Sequence, residues 1–222
     1  MQVLVLGATG FIGGHIARAA LDVGWRVRAL RRRPQAVGAI GDLADRIEWV
    51  QGELPFHDPL LEHSGRKQIS SPPQHSFDVR AAMRGCDVVF HAAAAYAHTA
   101  RDVSGWVRSS AHQMRTVLAA ARSEAGKLIY TSSLTTIGLP GQAGRLADER
   151  DWYVPGTTNS AYYEAKFAME MEAWRAAAEG LPLVVVNPTA VFGPGDIKPT
   201  TGEALLRVAK GQFPFYFDAV VN

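Results

Sequence analysis

The strongest constraint on the fold of this chain lies at its start, where a strand, a glycine loop, a helix and a second strand follow one another. Residues 2–6 form an apolar run of strand length, a helical pattern begins around Phe11, and residues 27–30 again have strand character. Three glycines at G-x-x-G-x-x-G spacing separate the first strand from the helix: Gly7, Gly10 and Gly13. Glycines permit a tight turn and let a pyrophosphate approach the positive N-terminus of a helix. The segment therefore predicts a dinucleotide-binding βαβ unit.

The alternation of strand and helix continues along the chain. Further strands are predicted at 46–50, 87–91, 127–131 and 183–186, and helices at 104–124 and 160–179. This order favours an α/β fold, a doubly wound parallel sheet with helices on both faces. Two segments without periodicity, 54–76 and 139–159, are predicted as long loops. We expect the second to border a substrate, because open α/β sheets bind ligands in loops at the carboxyl ends of their strands.

Composition argues against several classes of function. The chain has 222 residues with a net charge of +2, 47% hydrophobic and 20% charged residues, which is ordinary for a soluble globular protein. Neither nucleic acid nor an anionic membrane is therefore an expected partner. The single cysteine suits a reducing compartment, and the apolar runs are too short to span a bilayer, so a cytoplasmic location is predicted. The histidines of the 54–76 segment are too scattered for a metal site, and no metal is expected.

Tyr162 and Lys166 are candidate catalytic side chains in the last predicted helix. Their four-residue spacing places both on one helical face, where the lysine ammonium would stabilise a tyrosine phenolate. The tyrosine would then give or take a proton at a carbonyl or hydroxyl group. The neighbouring Tyr163 points about 100° away and has no basic residue four positions on. Ser132 and Ser133 end the preceding strand, where a hydroxyl would reach the same edge of the sheet and bind a substrate oxygen.

Several motifs occur in the order found in one large enzyme family. They are Gly7-Ala8-Thr9-Gly10-Phe11-Ile12-Gly13, Phe90-His91-Ala92-Ala93-Ala94, Tyr130-Thr131-Ser132-Ser133, Tyr162-x-x-x-Lys166 and the stretch 187–195. In these motifs the chain resembles the extended short-chain dehydrogenases/reductases, the NAD-dependent epimerase/dehydratase family, and above all their dihydroflavonol reductase-like branch. The resemblance covers nearly the whole chain except the 54–76 segment. It implies an NAD(P)-binding Rossmann fold.

The resemblance also implies a role for each motif. Tyr162 would be the general acid/base, and Lys166 would assist it and bind the nicotinamide ribose. Ser133 would polarise the substrate carbonyl, with Ser132 as the alternative. The nicotinamide would exchange hydride with the same substrate carbon. The residues expected to contact the cofactor are Gly7, Thr9, Gly10, Phe11, Ile12, Gly13, Arg31, Arg32, Glu53, Ala92, Ala93, Lys166, Pro188 and Val191.

A division of the chain follows from the same resemblance. Residues 1–198 would form the NAD(P)-binding domain, with 54–76 as an inserted loop. Residues 199–222 would begin a substrate-binding lobe that family members complete with further strands and helices, and that is largely absent from this sequence. Relatives often dimerise through helices of the cofactor-binding domain. A homodimer is therefore compatible with the resemblance, while the oligomeric state stays open.

The end of the second predicted strand indicates which nicotinamide cofactor is bound. NAD-selective relatives place an Asp or Glu there for the ribose 2′-hydroxyl, whereas an arginine accommodates the 2′-phosphate of NADP. Arg31 occupies this position, with Arg32 and Arg33 beside it. NADP is therefore favoured over NAD. Relatives also carry Gly-Asp-Leu after the third strand, whose Asp contacts adenine, and Glu53 stands in its place here.

Together these observations predict an NADP-dependent oxidoreductase that acts at a carbonyl or hydroxyl carbon of a small molecule. One alternative is a nucleotide-sugar epimerase/dehydratase, which holds NAD(P) tightly and returns the hydride to the same substrate. A second is a non-catalytic NADP-binding module. Nucleic-acid binding through the arginine run is poorly supported, because aromatic residues are not interleaved with it.

Overall fold

A computed structural model describes residues 1–56, 77–95, 102–142, 144–197 and 201–212. Its centre is a six-stranded parallel sheet in the order β3-β2-β1-β4-β5-β6. The strands are β1 (Gln2–Leu6), β2 (Arg26–Arg31), β3 (Ile47–Gln51), β4 (Val88–His91), β5 (Lys127–Thr131) and β6 (Leu183–Val186). The α-helices are α1 (Phe11–Asp22), α2 (Val79–Met83), α3 (Val103–Glu124), α4 (Ala161–Ala178) and α5 (Thr201–Ala209), and 3-10 helices cover Gly38–Arg46 and Leu134–Thr136.

The central strand β1 is buried on both faces and separates two hydrophobic cores. Val3 and Val5 face α1 and the first 3-10 helix, whereas Leu4 and Leu6 face the layer built by α2, α3 and α4. The first core also contains Ala17, Ala20, Leu21, Val27, Ala29 and Ile40. The second contains Met83, Val89, Met114, Val117, Leu128, Tyr130, Met169 and Ala173. Because side chains alternate along a strand, an unbroken apolar β1 requires helices on both faces, and the predicted doubly wound sheet is confirmed.

Predicted and observed elements agree within one residue at each end for all six strands and for α3 and α4, and α1 begins at the predicted Phe11. Four elements were not predicted: the 3-10 helices Gly38–Arg46 and Leu134–Thr136, the short helix α2 and the helix α5. The first 3-10 helix begins at a glycine with φ of +61° and is interrupted by a kink at Ile40. Residues 139–159 form the predicted loop, and the described part of this loop is tied down by one antiparallel bridge between Ile137 and Trp152.

Two of the expectations fall wholly or partly outside the described residues. The described residues do not include 57–76, which make up most of the predicted 54–76 insertion. They also do not include 213–222, which belong to the predicted start of the substrate-binding lobe. The helix α5 lies in the range expected to begin a second lobe, and the division at residue 198 stays a prediction. In the part of the chain that the structure describes, no helix combines the length and the apolar character needed to cross a membrane.

Candidate active site

The carboxyl ends of the six parallel strands meet at one edge of the sheet, and the predicted site residues lie along it. The strand ends and the loops after them carry, in chain order, the glycine loop, Arg31 with Arg32, Glu53, Ala92 with Ala93, Ser133, and Pro188 with Val191. The helix α4 packs beside the 3-10 helix that follows β5 and contributes Tyr162 and Lys166. The chain order reverses beside β1, and a doubly wound sheet binds its ligand at such a point.

The glycine loop has no room for side chains at two of its positions. Gly7 has a φ of +96°, and a Cβ there would lie 2.7 Å from the Ala93 nitrogen and 2.8 Å from the Ala92 carbonyl carbon. A Cβ on Gly13 would lie 2.1 Å from the Gly7 oxygen. Gly10 begins α1 and donates its N–H to the Gly7 oxygen at 2.9 Å. The result is a cradle of bare backbone at a helix N-terminus, which fits the pyrophosphate of a dinucleotide.

The loop after β6 crosses this edge and packs against α1. The Nε2 atom of His15 lies 2.9 Å from the carbonyl oxygen of Pro194. A Cβ on Gly193 would lie 3.3 Å from the ring of Phe11. Because β6 is the last strand of the sheet and α1 follows the central strand, the loop passes the ends of β5 and β4. It therefore bounds one side of the cleft above the glycine loop. Pro188 and Val191, which are predicted to flank the nicotinamide, belong to this loop.

The arginine run after β2 is anchored by neighbouring side chains. The Cζ atom of Arg31 stacks 5.0 Å from the ring centroid of Trp49 on β3. Its buried Nε has no hydrogen-bond partner among the described residues. Arg32 is exposed and pairs with Glu53, with Nη1 3.3 Å from Oε1. A surface pair of this kind contributes little to stability. Glu53, predicted to contact adenine, thus lies beside the predicted 2′-phosphate residue, and its role stays a prediction.

Lys166 is buried on α4 and reaches the end of β5. Its Nζ donates to the Thr131 carbonyl oxygen at 3.1 Å and lies 5.4 Å from the ring centroid of Tyr130. Burial lowers the pKa of Lys166 to about 8, while the nearby Glu170 carboxylate opposes this shift by favouring the ammonium. Tyr162 is half-buried one turn earlier on the same helix. Tyr162 and Lys166 therefore share one face of α4, as predicted. In this position Tyr162 would be able to exchange a proton with a substrate bound at the edge of the sheet.

The two serines after β5 have different partners. The Ser132 hydroxyl donates to Oε2 of Glu170 at 2.5 Å, so its proton is committed to a carboxylate. The Ser133 hydroxyl accepts the backbone N–H of Thr135 at 3.2 Å and caps the second 3-10 helix. Because the Ser133 oxygen is the acceptor in this contact, the contact does not use the Ser133 hydroxyl proton. It favours Ser133 over Ser132 as the residue that would bind a substrate oxygen.

Glu170 and Asn187 belong to the site but were not among its predicted residues. The Nδ2 atom of Asn187 donates to Oε2 of Glu170 at 3.0 Å, to the Ser133 carbonyl oxygen at 3.1 Å and to Oγ1 of Thr136 at 2.8 Å. Glu170 is buried. Glutamate is rarely buried unless it is paired, and here Ser132 and Asn187 supply hydrogen bonds to it. The sequence held one signal: Glu170 lies four residues after Lys166, on the same helical face. Its partners Ser132 and Asn187 follow two strands of the sheet, and only the fold brings them to it.

Tyr163 and His91 take structural roles near the site. The ring centroids of Tyr163 and Tyr153 lie 5.7 Å apart. His91 is completely buried at the end of β4, beside the ring of Tyr130. Burial, reinforced by the Lys166 charge, lowers the pKa of His91 to about 3, so its imidazole is neutral at physiological pH. No cluster of three metal-ligating side chains occurs in the described residues.

The strand order and the bare backbone cradle after β1 place the chain in the class of Rossmann-fold proteins that bind NAD(P). Within that class, the sequence model of the NAD-dependent epimerase/dehydratase family matches residues 3–212, and the chain belongs to this family. The family and the fold predicted from the sequence motifs are thereby confirmed.

Individual relatives match nearly all of this chain. A Synechocystis sp. protein provisionally named dihydroflavonol 4-reductase is 35% identical over 221 residues, covering 98% of this chain and 57% of that protein. Dihydroflavonol 4-reductase from Zea mays is 32% identical over 203 residues, covering 86% and 53%. The crystal structure of a nucleoside-diphosphate-sugar epimerase from Pseudomonas aeruginosa has a TM-score of 0.72 at 27% identity, covering 97% and 61%. The chain therefore spans a little over half the length of these relatives.

Proposed function

We propose that this chain acts in an NADP-dependent oxidoreductase whose substrate is a small molecule with a carbonyl or hydroxyl group. One observation carries the proposal: a cradle for a dinucleotide and a helix face with Tyr162 and Lys166 lie at the same edge of the sheet. A module that only binds the cofactor has no need of a tyrosine beside a buried lysine. The similarity to dihydroflavonol 4-reductases supports the same class of reaction.

The side chains supply the proton chemistry of this reaction. The nicotinamide, when bound, supplies or accepts the hydride at the substrate carbon. Tyr162 gives a proton to the substrate oxygen during reduction and removes it during oxidation, and the Lys166 ammonium stabilises the phenolate that remains. Ser133 donates its hydroxyl proton to the same substrate oxygen and orients it towards Tyr162. The N–H groups of the glycine loop hold the pyrophosphate, and Lys166 also binds the nicotinamide ribose.

Preference for NADP rests on the arginine run. The guanidinium of Arg31 lies over the ring of Trp49, and its terminal N–H groups would bind the phosphate. Arg32 forms an exposed surface pair with Glu53. A 2′-phosphate carries more charge than a carboxylate and would compete well for this arginine. NAD-selective relatives carry an Asp or Glu at the end of β2, whereas this chain carries Arg31 there.

Removal of both arginines is expected to abolish the preference for NADPH over NADH. Hydrogen bonds to charged groups contribute about 1.5–3 kcal/mol, so we expect the unmodified chain to bind NADPH roughly 10- to 100-fold more tightly. In the Arg31→Ala/Arg32→Ala double variant the two dissociation constants should converge, mainly because NADPH binds more weakly. Fluorescence titration with each cofactor measures both constants.

Arg26→Ala is the matched control, because Arg26 is exposed at the opposite end of the same strand. This variant should keep the preference of the unmodified chain. Equal affinity of the unmodified chain for the two cofactors would contradict the proposed specificity.

Net consumption of NADPH tests the reaction itself. We expect the absorbance of NADPH to fall when the chain is mixed with small aldehydes, ketones and flavonoid-type carbonyl compounds. A nucleotide-sugar epimerase would instead interconvert UDP-sugars with no net loss of absorbance, since it returns the hydride to its substrate. Cofactor binding without turnover of either group of compounds would indicate a binding module and would contradict the proposal.

A further inference from the structure

Glu170 is a buried carboxylate at the centre of a hydrogen-bond network that joins three active-site elements. Its Oε2 accepts hydrogen bonds from Ser132 Oγ after β5, at 2.5 Å, and from Asn187 Nδ2 after β6, at 3.0 Å. Its Oε1 accepts from Trp174 Nε1, one turn further along α4, at 3.2 Å. Among the described residues, all of these donors are neutral. These hydrogen bonds therefore satisfy the carboxylate oxygens, but they do not neutralise the negative charge, which still affects nearby ionisable groups.

Lys166 lies one turn before Glu170 on the same face of α4. Glu170 is the electrostatic partner that favours the ammonium form of this lysine against the cost of its burial. The Lys166 ammonium donates a hydrogen bond to the Thr131 carbonyl oxygen. The lysine thus enters the site with its charge supported by a carboxylate on the side away from Tyr162.

The other titratable groups around Lys166 do not supply this negative charge. His91 on β4 is neutral, and burial raises the pKa of the Tyr130 hydroxyl on β5 well above its usual range. Tyr162 is the group on which the lysine acts. On α3, which packs along α4, Arg115 is already paired with Glu172 at 2.9 Å. Glu170 is the carboxylate within this set that favours the charged form of the lysine.

We propose that Glu170 is a positioning residue of the active site, whose carboxylate fixes Ser132 and Asn187 and serves as the counter-charge of the Lys166 ammonium. Through Asn187, which also binds the Ser133 carbonyl oxygen, the same carboxylate sets the backbone that presents the Ser133 hydroxyl. Through Ser132 it removes the competing hydroxyl from the substrate. The effect on catalysis rests on the proposed function, because it requires Lys166 to assist Tyr162.

The first test measures Lys166 directly and needs no substrate. Lysine labelled with ¹³C at the ε-carbon is titrated by NMR in the full chain, with the Lys166 signal assigned from its absence in Lys166→Met. In Glu170→Gln we expect the Lys166 midpoint to fall by about one pH unit or more, since one unit corresponds to about 1.4 kcal/mol of lost attraction. Glu172→Gln, which removes an acid from the same helix that is paired with Arg115 and Arg175, should leave the midpoint unchanged. An unchanged midpoint in Glu170→Gln would overturn the proposal.

The second test uses the pH dependence of turnover. A step that needs the Lys166 ammonium slows as pH rises through the pKa of that group. Removing the negative charge lowers this pKa, so the alkaline limb of the profile in Glu170→Gln should move to lower pH by the shift seen in the NMR titration. A purely structural role would lower kcat equally at all pH values. Absence of any turnover in the unmodified chain would count against the proposed function, whereas the NMR titration would still decide the role of Glu170.

Glu170→Asp covers the case in which Glu170→Gln does not fold, which circular dichroism shows. The aspartate keeps the charge but withdraws it from Lys166 by one methylene. We expect a Lys166 midpoint below that of the unmodified chain by about half the shift expected for the glutamine variant. A midpoint identical to that of the unmodified chain would again overturn the proposal.

Discussion

Tyr162→Phe is expected to lower kcat by about 10²- to 10⁴-fold, the usual contribution of a general acid/base. The substitution removes only the phenolic oxygen and keeps the ring that packs at the sheet edge. Binding of NADPH should change by less than about threefold, because the cradle for the pyrophosphate is formed by the backbone after β1 and not by α4. Steady-state kinetics with NADPH and a carbonyl substrate, together with a fluorescence titration, separate the two effects.

Tyr163→Phe is the matched control for this prediction. The side chain of Tyr163 is on the same helix, and its ring packs against Tyr153. Loss of its hydroxyl should leave kcat within about twofold of the unmodified chain, as for other changes that touch no reacting group. Full turnover by Tyr162→Phe would disprove the assignment of Tyr162 as acid/base. Equal losses in the two variants would show that packing, and not proton transfer, is affected.

The second large effect is expected for Gly13→Ala. The added Cβ would lie 2.1 Å from the Gly7 oxygen and 2.5 Å from its carbonyl carbon, so the glycine loop has to move. Backbone lines this contact, and a side-chain rotation cannot relieve it. We expect a loss of NADPH affinity of roughly 100-fold and a loss of about 1–3 kcal/mol in the free energy of unfolding, as for other overpacked sites. Thermal unfolding and cofactor titration measure the two quantities.

Gly14→Ala provides a control at the next position of the same helix. Its Cβ would lie 3.4 Å from both the Ala8 oxygen and Cγ2 of Ile40, which is ordinary contact. Since alanine is favoured over glycine in a helix by about 1 kcal/mol, this variant should be as stable as the unmodified chain or more so. It should also bind NADPH normally. Similar losses of affinity in both variants would show that α1 tolerates no side chain here, and would contradict a specific role for the contact between Gly13 and Gly7.

Much of this fold could be predicted because several of its strands, β1 above all, consist mostly of apolar residues. The run Gln2–Leu6 is buried throughout, and only a sheet covered on both faces buries every residue of a strand. Helix α4 could be predicted from its alanine-rich sequence and the glycine that follows it. The 3-10 helix Gly38–Arg46 could not, because its shape depends on contact with the glycine loop: a Cβ on Gly38 would lie 2.4 Å from the Thr9 oxygen. Such contacts join residues that no local period connects.

The candidate site shows the same limit. The spacing of Tyr162 and Lys166 predicts their shared helical face, since both belong to one element. The sequence could not show that Arg31 stacks on Trp49, because the pairing of β2 with β3 brings these side chains together. Nor could it show which of two adjacent serines is engaged by Glu170, thirty-eight positions along the chain. The spacing of residues within one element predicts which side chains share a face. Partners on separate elements can be identified only once the fold is known.

The contact of Gly7 with Ala92 and Ala93 bears on how the protein comes to bind its cofactor during synthesis. The glycine motif leaves the ribosome early, yet one wall of its cradle follows β4, which is made only after β2, β3 and α2. Pairing of β1 with β4 closes a long loop and is slow to form relative to local contacts. The nascent β1–α1–β2 unit therefore lacks a rigid seat for the pyrophosphate. Affinity for the dinucleotide should arise late, when the middle of the sheet is complete.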